Sequence, residues 1–148
     1  MTKQTTISKA VSLSGVGIHT GKKVKLTFKP AKVNHGYAFT RVDLEGSPTL
    51  KADANLVVNT TRGTNLEKNG VSIQTSEHVL AALVGLEIDN ILIELNAPEP
   101  PIMDGSSIYF VEALLKAGIE EQNAERYEYV VRENITFTDE ETLSLIHI

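Results

Sequence analysis

The stretch Thr75-Ser76-Glu77-His78-Val79-Leu80-Ala81-Ala82-Leu83 is where this chain changes from strand spacing to helix spacing. From residue 76 to residue 86 the apolar side chains fall on one face of a helix. Thr75 or Ser76 is expected to cap that helix, and an acidic Glu77 in the first turn suits the helix dipole. The stretch therefore predicts a helix that begins with Glu77 and His78 beside an apolar stripe.

The residues before this helix predict strands. Val24, Leu26 and Phe28 alternate with lysine and threonine, which indicates a half-buried strand ending near Pro30. A strand from Ile7 to Leu13 is expected to lead into a glycine-rich loop, residues 15–21, and Tyr37–Phe39 forms another short strand. Asn69-Gly70 between two apolar runs is typical of a β-hairpin.

The residues after the helix predict a buried strand, a proline-rich loop and a second helix. The strand covers Ile88–Leu95, and the loop runs from Asn96 to Met103. Asp104 or Ser106 is expected to cap the second helix, while Glu99 and Asp104 remain possible site carboxylates. The order of elements predicts an α+β fold, a two-layer sandwich of a mainly antiparallel sheet packed on two helices.

The chain of 148 residues is long enough for one domain and the start of another. Residues 1–122 are expected to form the first domain, with Glu120–Arg126 as a polar linker. Residues 123–142 are expected to be linker and the start of a truncated second domain, with a strand from Tyr127. Residues 143–148, Leu-Ser-Leu-Ile-His-Ile, match the translation of a common transposon-end sequencing adapter, so we expect a non-native tail and no ligand role for His147. The alternative is a native apolar strand.

Composition excludes several classes of protein. The net charge is −5, and 5% aromatic residues argue against a nucleic-acid partner. The chain has no cysteine, so a metal would need His, Asp or Glu ligands. The first residues lack the apolar segment of a signal peptide, and no apolar run approaches the roughly 20 residues of a membrane span. A cytoplasmic protein without a transmembrane segment is expected.

Glu77 and His78 can supply a general base and a zinc ligand to one small volume. Helix positions four before, three after and four after His78 hold Gln74, Ala81 and Ala82, so this helix offers no second histidine ligand. A lone histidine at a helix start is more often a capping or packing residue. The glycine-rich loop precedes a strand rather than a helix, which favours a turn over a phosphate loop and leaves His19 exposed at its tip.

Three segments together resemble a known family. They are Gly-Val-Gly-Ile-His-Thr-Gly-Lys at 15–22, Ser-Glu-His-Val-Leu-Ala-Ala-Leu at 76–83, and Asp-Asn-Ile at 89–91 followed by Asn-Ala-Pro-Glu-Pro-Pro-Ile-Met-Asp-Gly-Ser at 96–106. In this order they resemble the first domain of the UDP-3-O-acyl-N-acetylglucosamine deacetylases, the zinc enzymes of lipid A synthesis. The resemblance covers about residues 3–140 and implies a fold similar to domain 2 of ribosomal protein S5.

The resemblance also implies roles for individual residues. Glu77 matches the general base that takes a proton from the zinc-bound water, and His78 matches the first of three ligands of one Zn2+ ion. His19 matches a histidine that lines the active site. A loop is expected to flank the cleft for the UDP-linked acylated glucosamine; its residues are Thr60, Thr61, Arg62, Gly63 and Thr64. The implied reaction hydrolyses the N-acetyl group and releases acetate, the committed step of lipid A synthesis.

The family's remaining catalytic residues have no counterpart in this chain. The other two zinc ligands form a His-x-x-x-Asp motif in the family's second domain, together with a general-acid histidine and an oxyanion-stabilising threonine. We therefore expect a fragment with little or no activity, whose missing partner is the second domain of the same chain. One alternative is a non-enzymatic α+β module that binds RNA, as ribosomal proteins do. Another is a complete gene that also encodes a fused acyl-carrier-protein dehydratase.

Overall fold

A computed structural model describes residues 2–139 and 142–146. Two α-helices, α1 (Glu77–Gly85) and α2 (Ile108–Ala117), and a single 3-10 turn (Ala54–Leu56) are found in that part of the chain. Neither helix has the length and apolar character needed to cross a membrane. The strands are β1 (Lys3–Ile7), β2 (Val11–Val16), β3 (Lys23–Pro30), β4 (Tyr37–Arg41), β5 (Thr49–Lys51), β6 (Val57–Asn59), β7 (Asn65–Lys68), β8 (Val71–Ile73), β9 (Ile91–Leu95), β10 (Ile119–Glu125), β11 (Ile135–Asp139) and β12 (Thr142–Ile146).

The central sheet has five strands in the order β2-β3-β9-β4-β5. Its pairs are antiparallel except β4 with β9, which are parallel. Val24, Leu26 and Phe28 of β3 are buried, as their alternation predicts, and the ring of Phe28 meets Phe110 of α2 edge-on at 6.4 Å. The predicted class, sheets combined with two helices around one core, is confirmed.

A second sheet of three strands, β6-β7-β8, leads the chain into α1. The predicted hairpin is confirmed: Asn69 and Gly70 join β7 to β8 with φ angles of 51° and 75°. Both angles are left-handed, as a two-residue hairpin turn requires. Leu66 and Ile73 of this hairpin are buried in the core, which fixes the position of the loop that precedes β7.

The predicted linker at Glu120–Arg126 is wrong, because all of these residues except Arg126 belong to β10, which pairs antiparallel with β1. The inward side of β10 carries an amide instead of an apolar side chain. Gln122 donates from Nε2 to the carbonyl of Ala31 at 2.8 Å and accepts a 2.7 Å bond from Asn90 Nδ2. A polar strand of this kind has no hydrophobic alternation, so sequence spacing hides it.

Other predicted boundaries also change. The strand expected from Ile7 to Leu13 is two strands, since β1 pairs with β10 and β2 pairs with β3. The strand expected from Tyr127 begins at Ile135. Its antiparallel partner β12 covers most of the predicted tail, whose His147 lies outside the described residues.

The start of α2 differs from the predicted cap. Ser107 is the N-cap residue and makes no side-chain cap bond. Asp104 Oδ1 accepts the N–H of Ser106 at 2.9 Å, so Asp104 closes the turn before the helix instead of capping it. Ser106 Oγ accepts the N–H of Ile108, the first helical residue, at 3.2 Å.

Candidate active site

Glu77 lies in the first turn of α1 and is held by the loop before β7. Its Oε2 accepts the N–H of Thr64 at 2.8 Å. In return, Ser76 donates from its N–H and from Oγ to the carbonyl of Thr64 at 3.1 and 2.9 Å. Ser76 is the N-cap residue of α1, as predicted, but it makes no side-chain cap bond, and Thr75 Oγ1 donates to Glu99. The hydroxyls expected to cap the helix bind neighbouring segments.

Gly63 allows the loop of residues 60–64 to lie directly against Glu77. Its φ angle is 154°, in the range that favours glycine. A Cβ atom there would lie 3.2 Å from Thr75 Oγ1 and 3.4 Å from Glu77 Oε1. A side chain at residue 63 would therefore crowd Thr75 and touch the Glu77 carboxylate that the loop covers.

His78 is half-buried and has an uncommitted ring. Its backbone carbonyl accepts a 2.9 Å hydrogen bond from Ser107 Oγ, which ties α1 to the start of α2. Within the described residues no hydrogen bond or ion pair involves its imidazole. The ring is therefore free to bind a ligand through either nitrogen.

His19 joins the glycine-rich loop to the loop of residues 60–64. Its Nε2 lies 3.0 Å from the carbonyl oxygen of Arg62. Because a carbonyl oxygen only accepts, Nε2 carries a proton, and in the neutral form of the ring Nδ1 then has the lone pair. Two of the predicted substrate-binding elements therefore meet at one point, and Thr64 links the same loop to Glu77.

Thr60 and Thr61 lie at the outer end of this loop, beyond β6. Both are exposed, and Thr61 donates its N–H to Asn59 Oδ1 at 2.7 Å. The guanidinium of Arg62 is also exposed, and its backbone has a left-handed φ of 69°. Contacts link four of the predicted substrate-binding residues to one another or to Glu77: His19, Arg62, Gly63 and Thr64. Thr60 and Thr61 precede this group in the sequence.

Glu99, which the sequence left as a possible site carboxylate, lies beneath these loops with 0% of its surface exposed. It accepts the backbone N–H groups of His19 and Thr20 at 3.1 and 3.0 Å. It also accepts the hydroxyls of Thr20 and Thr75, each at 3.0 Å. Desolvation raises the pKa of the Glu99 carboxyl. The hydrogen bonds together lower it by more than desolvation raises it, so the net pKa is below its usual value.

Gly17 is the residue that allows Glu99 to approach the glycine-rich loop. A Cβ atom at Gly17 would overlap Glu99 Oε2 and Thr20 Oγ1. Gly21 has a positive φ of 63°, as expected for a glycine turn, whereas Gly17 serves close packing. The glycines of this loop therefore have two different physical roles.

The described residues contain no group of three or more His, Asp or Glu side chains that could hold a metal ion. The first turn of α1 offers the free imidazole of His78 next in sequence to the carboxylate-bearing Glu77. A structural or catalytic zinc ion needs three or four protein ligands. The described part of the chain therefore does not form a complete zinc site on its own.

Comparison with known proteins supplies the family. Residues 4–147 match the family LpxC, described as UDP-3-O-acyl N-acetylglycosamine deacetylase. A protein of Bacteroides thetaiotaomicron named bifunctional enzyme LpxC/FabZ is 51% identical over 99% of this chain and 32% of its own length. A UDP-3-O-acyl-N-acetylglucosamine deacetylase of Xanthomonas campestris pv. campestris is 52% identical over 83% of this chain and 41% of its own length.

The chain thus spans less than half the length of these relatives. The family match extends over nearly all of the chain and confirms the resemblance inferred from the three sequence segments. The chain belongs to the UDP-3-O-acyl N-acetylglycosamine deacetylase family.

Proposed function

We propose that this chain is the first part of a longer, zinc-dependent deacetylase. The reaction would hydrolyse the N-acetyl group of a UDP-3-O-acyl-N-acetylglucosamine and release acetate. Family membership and the names of the relatives support this substrate class. The observation that carries the proposal is the Glu77 carboxylate, fixed by the N–H of Thr64 beside the free His78 ring.

Glu77 and His78 suit two different tasks at one centre. Consecutive helix residues point about 100° apart, so their side chains can reach the same small volume from different directions. A bound zinc ion would lower the pKa of a water molecule to about 7 and polarise the amide carbonyl. His78 would hold the ion through one ring nitrogen. Glu77, oriented through Oε2, would accept the proton of the attacking water at Oε1.

His19 and the loop of residues 60–64 would hold the substrate. In the neutral form of the His19 ring, Nδ1 would accept a hydrogen bond from a hydroxyl or amide of the sugar. The exposed guanidinium of Arg62 offers a positive charge that suits the diphosphate of a UDP group. The hydroxyls of Thr60 and Thr61 lie at the outer end of the same loop.

The remaining catalytic groups would come from a second domain. We propose that two further zinc ligands, a general acid and an oxyanion donor lie beyond this chain, which is inactive alone.

Because β10 extends to Glu125, we propose that the first domain ends after Arg126 instead of at residue 122. Residues 143–148 are proposed as a non-native tail, and the whole protein as a cytoplasmic enzyme. The match to a deacetylase family leaves the RNA-binding alternative without support.

A joined protein tests the proposal. It consists of residues 1–126 of this chain followed by the part of the Bacteroides thetaiotaomicron relative beyond the position that matches Arg126. We expect this protein to bind about one zinc ion and to release acetate from UDP-3-O-acyl-N-acetylglucosamine. A folded, zinc-loaded joined protein without deacetylase activity would contradict the proposal.

A further inference from the structure

Glu99 is a buried carboxylate whose charge is balanced without a cation. Its side chain is fully buried, and no ion pair among the described residues includes it. Burying an ionised carboxylate is costly unless hydrogen bonds replace the lost water. Four donors supply those bonds: two backbone N–H groups and two threonine hydroxyls. The carboxylate is therefore a shared hydrogen-bond acceptor that holds its four donors in fixed positions.

The donors come from two segments that are far from Glu99 in sequence. The N–H groups of His19 and Thr20 belong to the glycine-rich loop, about 80 residues before Glu99. Thr75, which donates its hydroxyl, lies two residues before Glu77. One carboxylate thus connects the loop that carries His19 to the start of the helix that carries Glu77 and His78.

One of the residues that donate to Glu99 has a backbone conformation that persists only with tertiary contacts. Thr75 has a φ of 50°, which is unfavourable for a β-branched residue. Such a conformation persists where the surrounding structure fixes it. The Thr75 hydroxyl donates to Glu99 at 3.0 Å, and its N–H donates to Asn65 Oδ1 at 3.1 Å. Release of the Glu99 bond would leave the Asn65 bond as the one hydrogen bond among the described residues that holds Thr75 in this conformation before the first turn of α1.

We infer that Glu99 is a positioning residue that holds the His19 loop and the first turn of α1 so that His19 and Glu77 both contact the loop of residues 60–64. Glu99 is too deeply buried to touch a substrate, so it acts through His19 and Thr75. The positional part of this inference rests on contacts alone. Its effect on turnover rests on the proposed function.

Nuclear magnetic resonance of the 148-residue chain tests the positional part. In Glu99→Gln one acceptor oxygen becomes an amide donor, which in one orientation faces the N–H groups of His19 and Thr20 and in the other faces the N–H of His19 and the hydroxyl of Thr75. We expect the amide resonances of both residues to shift and the nuclear Overhauser contacts between the His19 ring and residues 62–63 to disappear. The control is Glu94→Gln, which removes the carboxylate that pairs with Lys29 at 2.7 Å and should leave His19 unchanged. A folded Glu99→Gln chain with unchanged His19 contacts would overturn the inference.

Two gentler variants keep the test decisive if Glu99→Gln does not fold. Thr20→Val and Thr75→Val each remove one hydroxyl donor and leave the carboxylate with its two N–H partners. We expect a smaller displacement of the His19 ring in Thr20→Val and of the Glu77 resonances in Thr75→Val. Unchanged positions in both variants would overturn the inference.

Kinetics of the joined protein test the effect on turnover. With Glu99→Gln we expect kcat per bound zinc to fall about tenfold or more while KM changes less than about threefold, because misplaced groups slow chemistry more than binding. A role limited to stability would reduce the folded fraction but leave kcat per bound zinc unchanged, and that result would overturn the inference. An inactive unsubstituted joined protein would instead contradict the proposed function, while the resonance experiment still decides the role of Glu99.

Discussion

The backbone N–H of Thr64 donates a 2.8 Å hydrogen bond to Oε2 of Glu77. The orientation of this carboxylate therefore depends on a main-chain group, which side-chain substitution at residue 64 does not remove. Oε2 is engaged in this hydrogen bond, and Oε1 faces Gly63, which has no side chain. This arrangement suits a general base, because the proton-accepting carboxylate is held in one orientation.

The Gly63 contact predicts a measurable loss of stability. Gly63→Ala would place a Cβ atom 3.2 Å from Thr75 Oγ1 at a φ of 154°, so we expect the free energy of unfolding to fall by about 1–3 kcal/mol. Urea unfolding followed by circular dichroism measures this change. Gly85→Ala is the control: it lies in α1 with nothing within 4 Å of the added Cβ, and it should raise stability by about 0.5–1 kcal/mol. Equal stability of Gly63→Ala and the original chain would show that the loop does not pack on Glu77.

The pKa of Glu99 predicts an acid dependence of stability. Because its folded pKa lies below the unfolded value of about 4.3, the ionised form contributes stability that is fully present above that value and is lost as the pH falls through the folded pKa. We expect Glu99→Gln to be less stable than the original chain at pH 7, with the difference shrinking toward pH 3. Unfolding curves across this range measure the difference. A gap that stays constant with pH would mean that the Glu99 charge does not contribute.

The pairing of β10 with β1 predicts where the domain can be cut. A chain ending at residue 118 would lose Gln122, a partner of Asn90, and Arg126, whose Nε lies 2.9 Å from Asp89 Oδ1. We expect it to unfold at lower urea concentration than a chain ending at residue 126. A chain ending at residue 134 should match the one ending at 126. If all three unfold together, β10 is not part of the cooperative unit.

Much of this fold follows from local sequence pattern. The alternation around Leu26 and the Asn69-Gly70 turn predict β3 and the β7–β8 hairpin, and helical spacing predicts both helices. These features are local, so neighbouring residues reveal them. The polar strand β10 is hidden because Gln122 satisfies buried amide and carbonyl groups instead of filling a core.

The role of Glu99 cannot be predicted from spacing, because its partners lie 24 and about 80 residues away and meet it through the tertiary fold. The left-handed backbone of Thr75 is hidden for the same reason, since threonine seldom adopts it without such support. The sequence segments mark Glu77 and His78 as candidate site residues, but they do not predict the contacts of these residues with Thr64 and Ser107.

The proposed role of His78 as a zinc ligand predicts that its substitution weakens zinc binding. In the joined protein we expect His78→Gln to reduce zinc affinity at least about tenfold, because one of three protein ligands is lost. His35→Gln is the matched control, since the His35 ring bonds the carbonyl of Gly36 at 3.0 Å in a distant turn. Equilibrium dialysis with metal analysis measures both. The 148-residue chain alone should not retain stoichiometric zinc after dialysis, and retention would contradict the proposal that further ligands lie in a second domain.

Acetate release by the joined protein with and without Glu77→Gln tests the central claim most directly. Glutamine keeps the shape of the side chain but cannot accept the proton, so we expect kcat to fall at least about 100-fold while zinc content stays the same. Glu67→Gln, an exposed residue of β7, serves as the control and should retain full activity. Undiminished acetate release from zinc-loaded Glu77→Gln would contradict the assignment of Glu77 as the general base.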